Sequence, residues 1–213
     1  MAAAHSVVDL RRLLAERFPQ AIPPAPGSVP TGLPALDEMS GGGLPKSAIT
    51  ELISPDPSAG SASLIQALLL NAQQQNDFIA LIDGRDSFDP GSAGNECLRH
   101  LLWVRCQKAF DAVKAADLLL RDGNFPVVIV DLVLNPAEEL RKIPATSWYR
   151  LQRLVEAVPT ACLILTRRGL VSSAQLKLVL DHRWTLRALE EENAVSRLRF
   201  RIQRSHLKSQ ITS

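Results

Sequence analysis

Apolar residues along this chain follow two rhythms. Short continuous runs at 49–53, 78–83 ("FIALID"), 101–105 ("LLWVR"), 126–131 ("PVVIVD") and 161–166 ("ACLILT") predict strands. Between them, apolar positions recur every three or four residues over 61–75, 108–121 ("KAFDAVKAADLLLR") and 147–158 ("SWYRLQRLVEAV"), which predicts helices. Strands that are apolar throughout need cover on both faces, so the alternation predicts an α/β fold with a mostly parallel central sheet flanked by helices. Towards the C-terminus the pattern changes to a two-residue alternation over 183–189 and 196–203, separated by "EEENAV", and predicts an antiparallel hairpin at the sheet edge.

Three regions follow from the same pattern. Residues 1–28 form an N-terminal helical arm and a Pro-rich linker, 29–204 the core, and 205–213 a polar tail. In the arm, Val7, Leu10, Leu14 and Phe18 keep helical spacing beside Arg11, Arg12 and Arg17. The prolines of "PQAIPPAPGSVP" fix the backbone after it and remove amide donors.

Composition narrows the function classes. A net charge of +2 over 213 residues does not mark the whole molecule as a nucleic-acid binder, so any such role needs a local patch. The three cysteines, Cys97, Cys106 and Cys162, lack metal-ligand spacing and read as buried thiols in a reducing cytoplasm. No apolar run approaches the ~20 residues that cross a bilayer, and Met1–Ala4 does not open a secretion signal. No histidine has a metal-ligand or triad partner nearby in sequence, and no metal or cofactor is expected.

The stretch "ITELISPDPSAGSASLIQALLL", Ile49 to Leu70, carries the candidate chemistry. It has the strand, Gly/Ser/Pro turn and helix of a phosphate-binding loop. Such a loop needs glycines for close amide approach, a lysine against the β- and γ-phosphates, and a Ser/Thr for Mg²⁺. Here Ser54 stands at the first glycine, five residues precede Gly60 instead of four, Ser61 replaces the lysine and Ala62 the metal ligand. A helix N-terminus near Ser61 would hold an anion only weakly. The upstream "GGGLPKS", Gly41–Ser47, holds a Lys46-Ser47 pair but precedes the strand, and Pro45 removes an amide; it reads as a turn.

From Val29 to Arg204 the chain resembles the RecA recombinase core. "VPTGLPALDEMSGGGLPKSAITELISPDPSAG" is similar to the RecA entry segment, with a Thr-Gly-x-x-x-Leu-Asp helix before a Gly-Gly-Leu-Pro turn and the phosphate-loop strand. "FIALIDGRDSFDP" resembles the segment carrying the catalytic glutamate, and "AADLLLRDGNFPVVIVDLV" the one ending in the Walker B aspartate, here Asp131. "SSAQLKLVLDHRWTLRAL" resembles the stretch leading to the closing strands. By this resemblance Arg85 replaces the glutamate that activates water, and Arg167 replaces the phosphate-sensing glutamine. The two DNA-contacting loops contract to roughly 134–147 and 168–173.

Shortened loops, a degenerate phosphate loop and an added arm together resemble the ImuA-type (RecA/SulA-like) accessory proteins. That resemblance implies a non-catalytic adaptor in bacterial damage-induced translesion synthesis. The partners it implies are RecA, an ImuB-type Y-family polymerase homologue and, indirectly, an error-prone replicative polymerase. Phosphoryl transfer rests on positioning and charge neutralisation, so losing lysine, metal ligand and base together leaves hydrolysis near background. The rival readings are a weak nucleotide-dependent ATPase or recombination mediator, with Asp86 or Asp89 as substitute base, and a SulA-like cell-division inhibitor. With its partner groups gone, Asp131 reads first as a structural residue that caps a neighbouring turn, and Asp83 and Asp37 read the same way, as turn and helix-end residues.

Several surfaces are candidates for partner or weak DNA contact. "SRLRFRIQR" places Leu198, Phe200 and Ile202 on one strand face and Arg197, Arg199, Arg201 and Gln203 on the other. The arginine stripe suits phosphates or an acidic partner, or else only guards an edge strand. Arg167 and Arg168, with Lys177 near by, flank the contracted second loop, where they meet DNA or, for Arg167 or Arg85, fill the vacated phosphate space. "FPQA", with Phe18 and Ala21, matches the Phe-x-x-Ala anchor of some relatives, or Phe18 packs on this protein's own core. Trp148 and Tyr149 either stack on bases or pack inward, and Trp103 and Trp184 read as packing residues.

Overall fold

A computed structural model describes residues 27–56, 60–181 and 198–205 of the chain. The arm and linker with Phe18 and Ala21, the segment 182–197 with Trp184 and Arg197, and the tail beyond 205 lie outside the described residues.

Five apolar runs form the strands that their pattern predicts: β3 (Ala48–Ile53), β4 (Ile79–Asp83), β5 (Leu101–Arg105), β6 (Val127–Asp131) and β7 (Ala161–Thr166). With β8 (Leu176–Leu180) and β9 (Phe200–Ser205) they make a seven-stranded sheet in the order β5-β4-β6-β7-β3-β8-β9. Neighbouring pairs are parallel except β8 and β9, which are antiparallel. The expected antiparallel edge pairing is therefore present, but the strand facing β9 is Leu176–Leu180, while 183–189 falls outside the described residues. A bulge shifts the register between Lys177 and Leu178, pairing Leu178 with Ile202 and Lys177 with Arg204. Leu198 is buried and Phe200 packs on the core, while Arg199, Arg201 and Ile202 are exposed.

Helices cover both sheet faces. On one, α2 (Ser61–Gln75) buries Leu64, Ile65, Leu68 and Leu69 over β3, β4, β6 and β7. On the other, α5 (Ala109–Asp122) and α7 (Ala145–Glu156) bury Ala112, Val113, Ala116, Leu120, Trp148, Leu151 and Val155. Short helices α3 (Pro90–Ala93), α4 (Asn95–Leu98) and α6 (Ala137–Arg141) lie in the connections. Trp148 is thus a core residue and Tyr149 is half-exposed. All three cysteines are buried and free, and burial pushes the Cys162 thiol up to about 12.

The entry segment folds as a small clamp. Asp37 in α1 (Pro34–Ser40) accepts hydrogen bonds from the Thr31 amide at 2.9 Å and hydroxyl at 2.7 Å. Gly41 ends α1 in the left-handed region, and the chain then forms β2 (Leu44–Pro45) against β1 (Ser28–Val29). At Gly43, φ is +120° and an added Cβ would sit 2.1 Å from the Val29 carbonyl oxygen, so only glycine fits. "GGGLPKS" is accordingly a turn with a two-residue strand.

One charged residue interrupts β3. Glu51 of β3 is fully buried and forms an ion pair with Lys177 of β8 at 2.6 Å. Its other oxygen accepts from the Thr166 hydroxyl and from the Leu170 and Val171 amides at 3.1, 2.6 and 3.0 Å. The carboxylate therefore anchors the turn that follows β7. Removing one partner of such a pair leaves an uncompensated charge, which typically costs about 3–5 kcal/mol. Lys177→Met should destabilise by that order in chemical unfolding, and Glu51→Gln with Lys177→Met together should cost less than Lys177→Met alone. A Lys177→Met loss below about 1 kcal/mol would show that the pair is not holding this region.

Candidate functional site

Parallel strands bring their C-terminal ends to one edge of the sheet, and a cleft of about 440 Å³ opens there. Its walls are the first turn of α2 with Ser61, Ala62 and Ser63, the loop after β4 with Ser87, Phe88, Asp89 and Ser92, and the end of β6 with Asp131. Gly60 starts α2 at φ 102°, with no side chain capping the helix. The free amides and dipole of α2 thus face a cleft whose described lining carries two carboxylates and no lysine or arginine.

The predicted residues do not all converge on this cleft. Ser61, Ala62 and Asp131 do. Ser54 is buried at the end of β3, where its amide donates to the Thr166 carbonyl at 2.7 Å and extends the strand ladder. Arg167 and Arg168 are exposed after β7 and do not line the cleft. Arg199, just before β9, and Arg201 within it are exposed, three strands from β6's neighbour β7. Arg85 turns away from the cleft: its guanidinium donates to the Gln107 carbonyl at 3.3 Å and lies 3.8 Å from Glu139. Neither Arg85 nor Arg167 is among the described residues that line the cleft.

The carboxylates around the cleft mostly organise turns. Asp83 is buried and accepts from the Arg85, Ser87 and Phe88 amides at 3.2, 2.7 and 2.7 Å, which shapes the loop forming one wall. Asp89 caps α3 through the Gly91 amide at 2.9 Å. Asp86 instead faces β5, where the Arg105 guanidinium grips it through two bonds and holds its carboxyl below the usual range. Only Asp89 of the two substitute bases reaches the cleft. Ser87, Phe88 and Ser92 were not apparent from sequence; the polar loop "DGRDSFDPGSAG" after a strand is the signal that would have pointed to them.

Asp131 has two features at once. Its Oδ1 accepts from the Val133 amide at 2.9 Å, capping the turn after β6, and its side chain also faces the cleft. Burial pushes its carboxyl up from an ordinary 3.8 to about 6, against the Val133 hydrogen bond and with help from the Asp83 charge. Behind it, Gly84 packs so tightly that an added Cβ would lie 2.4 Å from Asn135 Oδ1 and 2.7 Å from the Asp131 carbonyl.

A strand–loop–helix edge of this kind, with an aspartate ending β6, has a match among known families. The RecA N-terminal domain family matches residues 24–152. The chain belongs to this RecA family. Protein RecA of Frankia alni is 33% identical over 118 residues, covering 53% of this chain and 34% of that protein. Protein RecA of Clavibacter michiganensis is 34% identical over 130 residues, 59% of this chain and 34% of the relative. Protein RecA of Chlamydia felis is 34% identical over 118 residues. The chain spans about a third of the length of these curated relatives. The matched RecA region contains the whole cleft, whereas β7, β8 and β9 lie beyond it.

Asp131 gives this RecA-family cleft a pH signature. Its folded value lies above the unfolded one, so its contribution to stability is complete below pH 3.8 and is lost as pH rises through about 6. The rise is worth at most ~3 kcal/mol, and the open side of the cleft screens it to about 1–2 kcal/mol. Asp131→Asn keeps the acceptor for Val133 and removes the charge. Denaturant unfolding should find this variant increasingly stable relative to the parent between pH 4 and pH 7, whereas a constant difference would contradict the raised carboxyl.

Proposed function

We propose that this chain is a non-catalytic RecA-like adaptor in bacterial DNA-damage-induced translesion synthesis, linking RecA with an ImuB-type polymerase homologue. The observation that carries the reading is the charge of the cleft. Asp89 and Asp131 line it, Ser61 and Ala62 stand where a lysine and a metal ligand are needed, and Arg85 leaves the expected base position for Glu139. A triphosphate would meet like charge: at an effective dielectric of ~20, one phosphate charge ~5 Å from an uncompensated carboxylate costs about 3 kcal/mol. The amides of α2 offset a fraction of this, typically 0.3–1 kcal/mol at an exposed helix end. Positioning and neutralisation are nearly all that phosphoryl transfer asks of a protein, so this cleft suits recognition of proteins better than turnover.

One observation favours the second reading, a weak nucleotide-dependent mediator. The cleft remains open beside an uncapped helix N-terminus and keeps Asp131 on its wall. Titration of a fluorescent ATP analogue with Mg²⁺ separates the two. The adaptor reading expects no saturable signal from the native chain. Saturable binding that vanishes in Asp131→Ala would instead support the mediator. Co-purification of the full chain with RecA and with the polymerase homologue tests the adaptor itself, and retention of neither would remove it.

A further inference from the structure

Helices α5 and α7 pack side by side on the sheet face opposite α2, and the valley between them is open to solvent. It holds two adjoining hollows of about 330 and 550 Å³ that share Ser147 and Arg150. The floor is apolar, with Val113 and Leu151 buried at its base. Along α5, Phe110, Lys114 and Leu118 recur every four residues and Arg121 follows, so they form one outward stripe. Phe110 is 44% exposed and Leu118 67%, although each is on a helix whose other face is fully buried in the core. Apolar side chains bordering a hollow in this way suit a covering partner.

The rim is cationic. Lys114, Arg121, Arg150 and Arg153 line the two hollows with one lining carboxylate, Asp117. Lys114, whose ammonium lies over the Phe110 ring, is also paired with Asp111 at 3.1 Å, so four cations stand against two carboxylates. Asp117 is shared: the Arg121 guanidinium donates to it at 2.9 Å and that of Arg150 at 2.5 Å. This arrangement fixes both guanidiniums in place and still leaves an excess positive charge. Arg153 is exposed and has no ion pair or hydrogen bond among the described residues.

We infer that the α5–α7 valley docks an acidic amphipathic helix of a partner protein, its apolar face on Phe110 and Leu118 and its carboxylates on Arg150 and Arg153. Two packed helices present a valley suited to a third, and alternating apolar floor and charged rim select an amphipathic one. The stripe from Phe110 to Arg121 spans ~16 Å, about three helical turns. A second copy of this face would bring cations against cations. The chain's own arm fits poorly for the same reason, since 5–18 carries Arg11, Arg12 and Arg17 against Asp9 and Glu16. Nucleic acid would use the arginines but gains nothing from Leu118. The inference stands apart from the adaptor reading, because nucleotide turnover in the cleft would leave this face unchanged.

A displayed library of random peptides about 16 residues long, selected on the full-length protein and counter-selected on Leu118→Glu/Arg153→Glu, tests it. Enriched sequences should carry apolar residues at helical spacing with an excess of Asp and Glu. A synthetic representative should bind saturably in fluorescence anisotropy and weaken about ten-fold in Leu118→Glu and in Arg153→Glu alone. Both side chains are exposed, and thermal melting checks that the variants fold; Leu118→Ser and Arg153→Gln replace them if melting differs. Four outcomes overturn the inference: no enrichment over the variant, enrichment without acidic excess, stronger competition by a peptide of residues 5–18, or displacement by oligo(dT), which would assign the face to nucleic acid.

Discussion

A carboxylate in the middle of a fully buried strand has to be neutralised from outside that strand. Glu51 occupies such a position, and every group that answers it comes from later in the chain: Thr166, the Leu170 and Val171 amides, and Lys177. Desolvating an ion costs several kcal/mol unless its charge and lone pairs are satisfied together. The requirement therefore ties β3 to β7, to the turn after it, and to β8. Because β9 pairs only with β8 within this sheet, the C-terminal edge and its arginines depend on the same contact. The part of the chain beyond the matched RecA region is thus held to it by this internal ion pair together with the ladders on either side of β3 and the one between β6 and β7.

Around the cleft, acidic side chains are used for chain geometry. Asp83 gathers three amides of the wall loop, Asp131 caps the turn after β6, and Asp89 caps α3. Each bond satisfies a backbone donor at a strand or helix end, where donors are otherwise short of partners. Such a scaffold keeps the loops in place without a ligand. The described lining of the space they enclose carries two carboxylates and no lysine or arginine.

The strands were readable because burial on both faces forces continuous apolar sequence, and "ACLILT" or "VVIVD" admit little else. The helices were readable because α5 and α7 each bury a single stripe. β8 was harder, since "LKLVL" alternates with Lys177 inside, and its polar residue belongs to a pair 126 residues apart in sequence. The same separation hid Glu51, whose only sign was a charged letter within "AITELI". In the site, Ser61, Ala62 and Asp131 fell together because strand ends and helix starts share one sheet edge. Side-chain direction was not readable, and Arg85 shows why: its neighbours in space, Gln107 and Glu139, come from two other connections.

The contacts of Arg85 limit what can replace it. Glu139 also accepts from the first amide of α5 at 3.2 Å and faces the arginine at 3.8 Å, so the carboxylate serves two elements. Arg85→Glu would set two anions against each other and would still not aim at the cleft. Such a substitution would therefore need a second one near α6 that removes or moves the Glu139 charge before the connection after β4 and the start of α5 could both keep their contacts.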